Sequence, residues 1–315
     1  MSSPVLIVDG LNFFMRHFAA HPGMSDSGEH VGGFVGFLGG LGSLCAAHKP
    51  CRVIVVWESG GNAKRRAALS SYKDGRRAVK LNRYYEDDIP ATIKNHVDQV
   101  SLLTQALSHL PVTQIYVRDT EADDVIGYLG RYTFVATDTI LVSSDKDLLQ
   151  LVNDKVHQWS PGSKVMYDPD VVIEKFGVSP ENFITARVFV GDSSDAIAGV
   201  KGAGFKSLSK WFPELRERRF VPHREIIAAA NERSDAAGKT LRNIAESESI
   251  ADRNWKLMHL DTSRLNGDQI KRIEDQLEKS GLTNKMALLR MLSTNGMLKF
   301  DIDRSFSTIS AVEKS

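Results

Sequence analysis

Val5-Leu-Ile-Val-Asp9 reads as a short buried strand that runs directly into a carboxylate. Moving outward along the chain, the same arrangement recurs in Val53-Ile-Val-Val-Trp-Glu58 and in Ile140-Leu-Val-Ser-Ser-Asp145. A fourth run, Ile115-Tyr-Val-Arg-Asp119, leads two residues later into Glu121. Between the strands lie helical spacings, such as Ile93, Val97, Val100, Leu103, Leu107 and Leu110 on one face. Strands alternating with helices predict an α/β fold, a mostly parallel central sheet with flanking helices. Ligands of such sheets collect outside the carboxyl ends of the strands, so these acids converge there although they are far apart in sequence. Clustered carboxylates repel one another unless cations neutralise them.

The rest of the composition sets bounds. With 315 residues and 42% hydrophobic content, the chain has enough apolar material for one large domain or two smaller ones. Its formal net charge is only +1, so an argument for nucleic-acid binding must rest on where the charges sit. Cys45 and Cys51 fit neither a disulfide framework nor a zinc spacing, which points to a reducing compartment such as the cytoplasm. Met-Ser-Ser-Pro at the start lacks the basic region of a signal peptide. Val31 to Ala47 carries no charge and is borderline in length for a membrane span. Its Phe34, Leu38, Leu41 and Cys45 draw one helical face, however, and its glycines permit close packing, so a buried helix is expected. Beyond about residue 180 strand-like runs give way to helical ones. Residues 231–254 read as a polar, partly exposed excursion, Asp268 to Ser280 as an exposed helix, and 301–315 as a tail without period.

Three groups of residues carry chemistry. The first is acidic: Asp9, Glu58, Glu121, Asp123, Asp124, Asp145, Asp147, Asp192 and Asp195. Oxygen-rich sites select hard cations such as magnesium or manganese, and two such ions about 4 Å apart promote phosphodiester hydrolysis. Taken singly, each Asp is as readily a helix N-cap or a turn residue, and Asp145 is placed to cap a helix holding Leu148, Leu149 and Leu151. The second group is basic: Lys64, Arg65, Arg66, Lys73, Arg76, Arg77, Lys80 and Arg83 face the single acid Asp74, with Tyr72 among them able to stack on a base. A solvated helix face is the plain alternative, weakened by the missing alternation of acids. The third is Gly199-Val-Lys-Gly202-Ala-Gly204-Phe-Lys206-Ser207, whose glycines allow backbone amides near a phosphate. An ordinary helix–turn–helix corner explains it equally well. No G-x-x-x-x-G-K-[ST] string occurs and no strand leads into this turn, which excludes P-loop and Rossmann nucleotide binding.

Together these strings resemble the flap-endonuclease and 5′-3′ exonuclease superfamily, in particular bacteriophage 5′ nucleases and the 5′-nuclease domain of DNA polymerase I. The resemblance rests on Glu-Ala-Asp-Asp-Val-Ile-Gly (121–127), Ser-Asp-Lys-Asp-Leu-Leu-Gln-Leu (144–151) and Gly-Asp-Ser-Ser-Asp-Ala-Ile-Ala-Gly-Val-Lys-Gly-Ala-Gly-Phe-Lys-Ser (191–207), in that order. It implies an α/β metal-dependent nuclease domain over 1–180 with a helical arch at about 64–95. It also implies a helical duplex-binding region over 181–300, with a helix–three-turn–helix at about 185–215, and leaves 301–315 as a tail.

By the same resemblance, Asp9, Glu121, Asp123 and Asp124 surround one magnesium ion, and Asp145, Asp147, Asp192 and Asp195 a second, with manganese able to substitute. Lys73 and Arg76 meet the scissile phosphate, while Arg65 and Tyr72 are arch positions that contact DNA. Gly202, Gly204, Lys206 and Ser207 grip the duplex, at a turn that binds potassium in relatives. The family places Asp where this chain has Glu58, kept here as a substituted ligand. The implied reaction is phosphodiester hydrolysis near a 5′ single-strand–duplex junction, in replication or repair, with RNA primers among the substrates. The implied enzyme is a monomer without a polymerase region, in the host cytoplasm if phage-encoded, with unidentified replication proteins as partners. Two rivals remain: a non-catalytic branched-DNA-binding protein on the same scaffold, and a ribonuclease of the related PIN fold, whose domains are shorter and lack the glycine turn.

Overall fold

The structure is a computed structural model that describes residues 3–60, 63–74, 93–233, 238–261 and 264–312. Arg76, Arg77, Lys80 and Arg83, and with them most of the expected arch, lie outside the described residues. Strand β1 (Val5–Asp9) is buried along its whole length and is flanked in parallel by β2 (Arg52–Trp57) and β4 (Thr139–Val142). β3 (Val112–Tyr116) adds to β2 and β5 (Val156–Ser160) to β4, both parallel, and the short β6 (Val165–Tyr167) closes the far edge antiparallel to β5. The six-stranded order β3-β2-β1-β4-β5-β6 means that connections leave β1 in opposite directions, which opens a crevice at its carboxyl end.

Unbroken apolar strands require cover on both faces. One face is covered by α1 (Gly10–Ala20), α2 (Gly32–His48) and α4 (Ile93–Leu107), the other by α5 (Ala122–Tyr128) and α12 (Gly267–Leu277). The charge-free segment is therefore α2, a core helix, and among the described residues no helix is long and apolar enough to cross a membrane. β3 would be an open edge. The side-chain amide of Gln276 on α12 closes part of it, accepting from Tyr116 N at 2.7 Å and donating to Tyr116 O at 3.0 Å. The helix read as exposed thus lies on the sheet with Ile273 buried.

Past β6 the chain is helical. α6 (Pro169–Phe176), α7 (Phe183–Val190), α8 (Phe205–Trp211), α9 (His223–Arg233), α10 (Lys239–Ala245) and α11 (Glu248–Met258) share a second apolar core. The polar stretch read as an excursion is mostly packed helix, since Leu241, Ile244 and Ala251 are buried; residues 234–237 lie outside the described ones.

The chain then returns to the sheet. α13 (Lys285–Thr294) and α14 (Asp303–Ser310) join the core built on α1 and α2. The expected tail therefore holds a docked helix: a Cβ at Gly42 of α2 would sit 2.7 Å from the backbone of Ser305, so glycine permits this approach. Periodicity was hard to see because α14 buries little beyond Ile309, within a serine- and charge-rich sequence. Ile309→Ala should destabilise the protein by about 2–5 kcal/mol, as for other buried Ile truncations. Denaturant unfolding that is unchanged would mean the helix contributes nothing to the core.

Candidate active site

Asp9 ends β1 and caps α1, its Oδ1 accepting from Asn12 N at 3.1 Å and its Oδ2 from the Ser143 hydroxyl at 3.0 Å. Glu58 follows β2, Glu121 and Asp123 come from the start of α5, and Asp145 follows β4. All five line one cavity of about 400 Å³, together with Lys73, Asn12 and His96. Glu58, the residue that departs from the family pattern, is thus at the same place as the others. Asp147 opens the short turn of helix after Asp145, whose Oδ1 accepts from Asp147 N at 2.8 Å. Asp9 caps α1 as well as lining the cavity, whereas the short helix Asp147–Leu151 has Lys146 at its N-cap and Asp145 closes a local turn in front of it.

Burial, and after it mutual repulsion, weaken the acidity of most of this cluster. Burial first, and then Asp145, raise Asp9 to about 7 against the opposing Asn12 amide. Burial, with Asp145 and Asp9 adding, lifts Asp123 well above the usual carboxylate range. Burial and Asp145 raise Asp147 to about 7, although Arg187 opposes. Burial also lifts Asp145, with Asp195 and Asp192 adding and the Asp147 amide and Arg187 opposing. Asp192 moves the other way: despite burial, Arg187 and Ser194 hold it low.

Three cations are threaded among these acids. Lys73 Nζ lies 2.5 Å from Glu121 Oε1 and 3.7 Å from Glu58. Its backbone is left-handed (φ 59°), and its N–H donates to Asp195 O at 3.0 Å, tying the base of the basic segment to the 191–197 loop. Arg187 donates through Nε to Asp147 at 2.8 Å, through Nη1 to Gly191 O at 2.6 Å, and through Nη2 to Asp192. Arg187 was not singled out from sequence, although a cation inside the apolar run Phe183-Ile-Thr-Ala-Arg-Val-Phe-Val signals a buried partner.

Arg65 is the third cation, and it corrects an expectation. It lies on α3 (Ala63–Ala68), is 5% exposed, and donates two parallel bonds of 2.9 Å to Asp124 and another to Glu121. A guanidinium so enclosed is committed to these acids in this structure rather than turned to the surface. Tyr72 is placed likewise: at 4% exposure it packs in the second core with its hydroxyl 3.4 Å from Glu121. Asp124 lies apart from the other acids expected around a metal ion, lining a different cavity. Neighbours on a helix point about 100° apart. Asp123 therefore faces the carboxylate cavity while Asp124 turns to Arg65 and a separate cavity. Among the described residues, no three His, Cys, Asp or Glu side chains close on one point as an ion would hold them. Their chemistry nevertheless fits divalent cations: the donors are all oxygens, and Asp9, Glu58, Glu121, Asp123 and Asp145 share one cavity.

The glycine segment forms the turn between α7 and α8. A Cβ on Gly199 would fall 2.2 Å from Val190 O, and Gly202 takes φ 87°, so both positions require glycine. Ser207 Oγ accepts from Gly204 N at 2.8 Å and donates within the turn, to Gly204 O at 2.9 Å or Gly202 O at 3.1 Å. Ser207 therefore shapes the turn, while Lys206 is exposed.

Carboxylates gathered at the switch point of a parallel sheet, beside an internal lysine and a glycine turn, define the class of metal-dependent nucleases. The family description "5′-3′ exonuclease, N-terminal resolvase-like domain" matches residues 4–177. The chain belongs to this 5′-3′ exonuclease family. It is 31% identical over 222 residues to a 5′-3′ exonuclease of Bacillus subtilis (strain 168), covering 68% of this chain and 71% of the relative. It is 28% identical over 258 residues to the flap endonuclease Xni of Shewanella sp. (strain MR-4), covering 82% and 90%. In fold it is similar to a bacteriophage T5 flap endonuclease solved as a pseudo-enzyme–product complex with DNA and metal ions: TM-score 0.67, 23% identity, 87% of this chain and 98% of that one.

The acidities predict an unusual pH dependence. Folded values near 7, against 3.8 for free Asp, mean that the folded state holds protons the unfolded chain has released. This contribution is fully present below about pH 4 and is lost as pH rises through about 7. In chelator the Tm should therefore fall between about pH 5 and pH 8, and magnesium should restore it by about twice as much at pH 8. Asp145→Asn should flatten both effects. Equal magnesium shifts at both pH values would refute this account of the cluster.

Proposed function

We propose that this chain is a structure-specific 5′ nuclease that hydrolyses phosphodiesters near 5′ single-strand–duplex junctions, acting as both flap endonuclease and 5′-3′ exonuclease. The observation that carries the proposal is the convergence of Asp9, Glu58, Glu121, Asp123 and Asp145 on one cavity with Lys73 beside them. Magnesium is the resident ion, since all-oxygen donor sets favour hard cations, and manganese substitutes. Asp9, Glu58, Glu121, Asp123 and Asp145 hold one ion environment, and Asp147, Asp192 and Asp195 extend it toward a second. Two bound ions supply an activated water and offset charge on the leaving oxygen.

The chain's own groups do the positioning. Lys73 exchanges part of its contact with Glu121 and Glu58 for a phosphate oxygen, adding positive charge where the transition state gains negative charge. Arg76 is assigned the same role from its place in the sequence. Arg187 keeps Asp147 and Asp192 apart yet oriented. The turn at Gly202 and Gly204 brings the chain close to the duplex backbone, and Lys206 a charge, and a potassium ion at this turn is part of the proposal. DNA with 5′ branches or ends is the substrate, with RNA–DNA hybrid accepted at primers. Replication proteins are its partners, and it acts as a monomer in the cytoplasm.

Glu58→Ala should lower the single-turnover rate on a labelled flap about tenfold or more, about 1.4 kcal/mol of barrier, whereas Glu58→Asp stays active. A wild-type rate for the Ala variant across magnesium concentrations would remove Glu58 from the site. Separately, Lys73→Ala should cut the single-turnover rate far more than the affinity. Lys206→Ala should instead weaken duplex binding and reduce its log–log salt slope by about 0.9. Binding and slope unchanged for Lys206→Ala would leave the turn without a phosphate contact.

A further inference from the structure

A glutamine stands on β5 where the strand is buried. Gln158 is 1% exposed and pairs in register with Leu141 of β4, at a position that an apolar side chain ordinarily fills. Burying an amide costs free energy unless hydrogen bonds offset it. Here Nε2 donates to Ser143 O at 2.9 Å and to Asp145 O at 2.7 Å. The backbone ladder reaches one residue past β4, through the bond from Ser143 N to Trp159 O at 3.1 Å. The amide therefore takes hold of the turn that carries Asp145 just where the chain leaves the sheet. Two carbonyl acceptors fix which way the amide points, because its own oxygen could not face them. That oxygen, Oε1, is buried with no hydrogen-bond partner among the described residues. An apolar side chain would avoid that cost, so the two bonds from Nε2 are what the position retains the glutamine for.

Those two bonds complete a frame around Asp145. Its N–H is held by the Ser143 hydroxyl at 3.1 Å, its carbonyl by Gln158, and its Oδ1 by the Asp147 amide at 2.8 Å. The Ser143 hydroxyl donates in turn to Asp9 Oδ2 at 3.0 Å. Ser143 is thus fixed through its carbonyl by Gln158, and through its hydroxyl it meets two acids of the cavity. The residue type follows from this task. A glutamine amide places two N–H donors on one nitrogen without charge. A carboxylate could not donate to the carbonyls, and lysine or arginine would set a cation among acids that a metal ion must reach.

We propose that Gln158 is a positioning residue for the carboxylate site. It holds the turn from Ser143 to Asp145 so that Asp145 and Asp9 face one cavity before any cation arrives, which lowers the ordering cost of binding one. It acts through backbone carbonyls and touches neither ion nor substrate. The inference rests on the metal-dependent reading of the acids, and adds to it a residue that sets how tightly an ion is held.

Ion binding measured without DNA tests this. Manganese is the probe, its free form counted by electron paramagnetic resonance. Gln158→Met keeps most of the volume and removes both donors, and it should weaken manganese binding about tenfold or more, as loss of an outer hydrogen-bond partner does at other metal sites. Gln158→Asn, one methylene shorter, draws the donors away from the carbonyls and should act in the same direction with less change to the core. Val156→Ala is the control for stability: Val156 is fully buried on the same strand, and its truncation should lower the Tm yet leave manganese affinity unchanged. In single turnover on a labelled flap, the rate lost in Gln158→Met should return as magnesium is raised about tenfold, which a general loss of stability would not produce. Wild-type manganese affinity in the folded Gln158 variants would overturn the inference, and so would an equal loss in Val156→Ala. Failure of the wild type to cut any flap, with the loss of affinity in Gln158→Met intact, would instead sink the nuclease reading alone.

Discussion

Like charges that must share a small volume are the constraint on which this molecule depends. The parallel sheet delivers Asp9, Glu58 and Asp145 to one edge, and α5 adds Glu121 and Asp123. No arrangement of hydrophobic residues relieves that repulsion; it takes cations, and those of the protein come from outside the sheet. Arg65 and Lys73 arrive from the segment after β2, and Arg187 from α7. The helical half is thus bound to the α/β half by electrostatic need as well as by packing. A buried pair broken on one side leaves an uncompensated charge, at a cost of about 3–5 kcal/mol. This makes Arg65 and Arg187 structural necessities wherever the acids are retained for chemistry.

The same need divides the basic segment into two parts with different duties. Its beginning, read along the chain, is indistinguishable from its continuation: lysines and arginines with almost no acids between them. In the structure, Arg65 is consumed by Asp124 and Glu121, and Tyr72 is consumed by the second core. Lys73 is intermediate, 11% exposed and facing both Glu121 and the cavity. Charge available to a polyanion is therefore interrupted at Arg65, since Lys64 and Arg66 on either side of it are exposed. Lys73 also reaches its place through a left-handed backbone whose N–H is held by Asp195 O, which ties the foot of the segment to the 191–197 loop.

Much of this architecture was legible in the sequence because its signals are local. Short apolar runs ending in acids identified β1, β2 and β4, whereas β3 (Val112–Tyr116) begins three residues before the run Ile115–Asp119 read for it, and the topology of parallel sheets then brought the strand ends together. What stayed hidden required knowledge of partners. Arg65 and Tyr72 look exposed in a basic run because nothing nearby in sequence announces Asp124 or Glu121. Asp124 looks equivalent to Asp123 until the turn of the helix sends it to the other side of Arg65. β5 and β6 carry polar residues such as His157 and Gln158 that dilute the strand pattern, yet Gln158 is buried because its amide donates to Ser143 O and Asp145 O. α14 escaped because a helix docked through few side chains leaves a faint period.

Capping and cation binding are usually weighed as alternatives for an Asp at a strand end, yet one carboxylate has room for both. A carboxylate has two oxygens and about four lone-pair directions. Asp9 spends one direction on the Asn12 amide and one on the Ser143 hydroxyl, while Asp145 spends one on the Asp147 amide. Those bonds leave lone pairs over, and they restrict each side chain to a single orientation at the cavity wall. The cap therefore reduces the ordering cost that a ligand would otherwise meet on binding a cation. Ser143 serves both sides of the arrangement, donating to Asp9 and accepting from Asp145 N at 3.1 Å, so one hydroxyl orients two acids across neighbouring strands. The features that make each residue look structural in isolation are the ones that preorganise the group for chemistry.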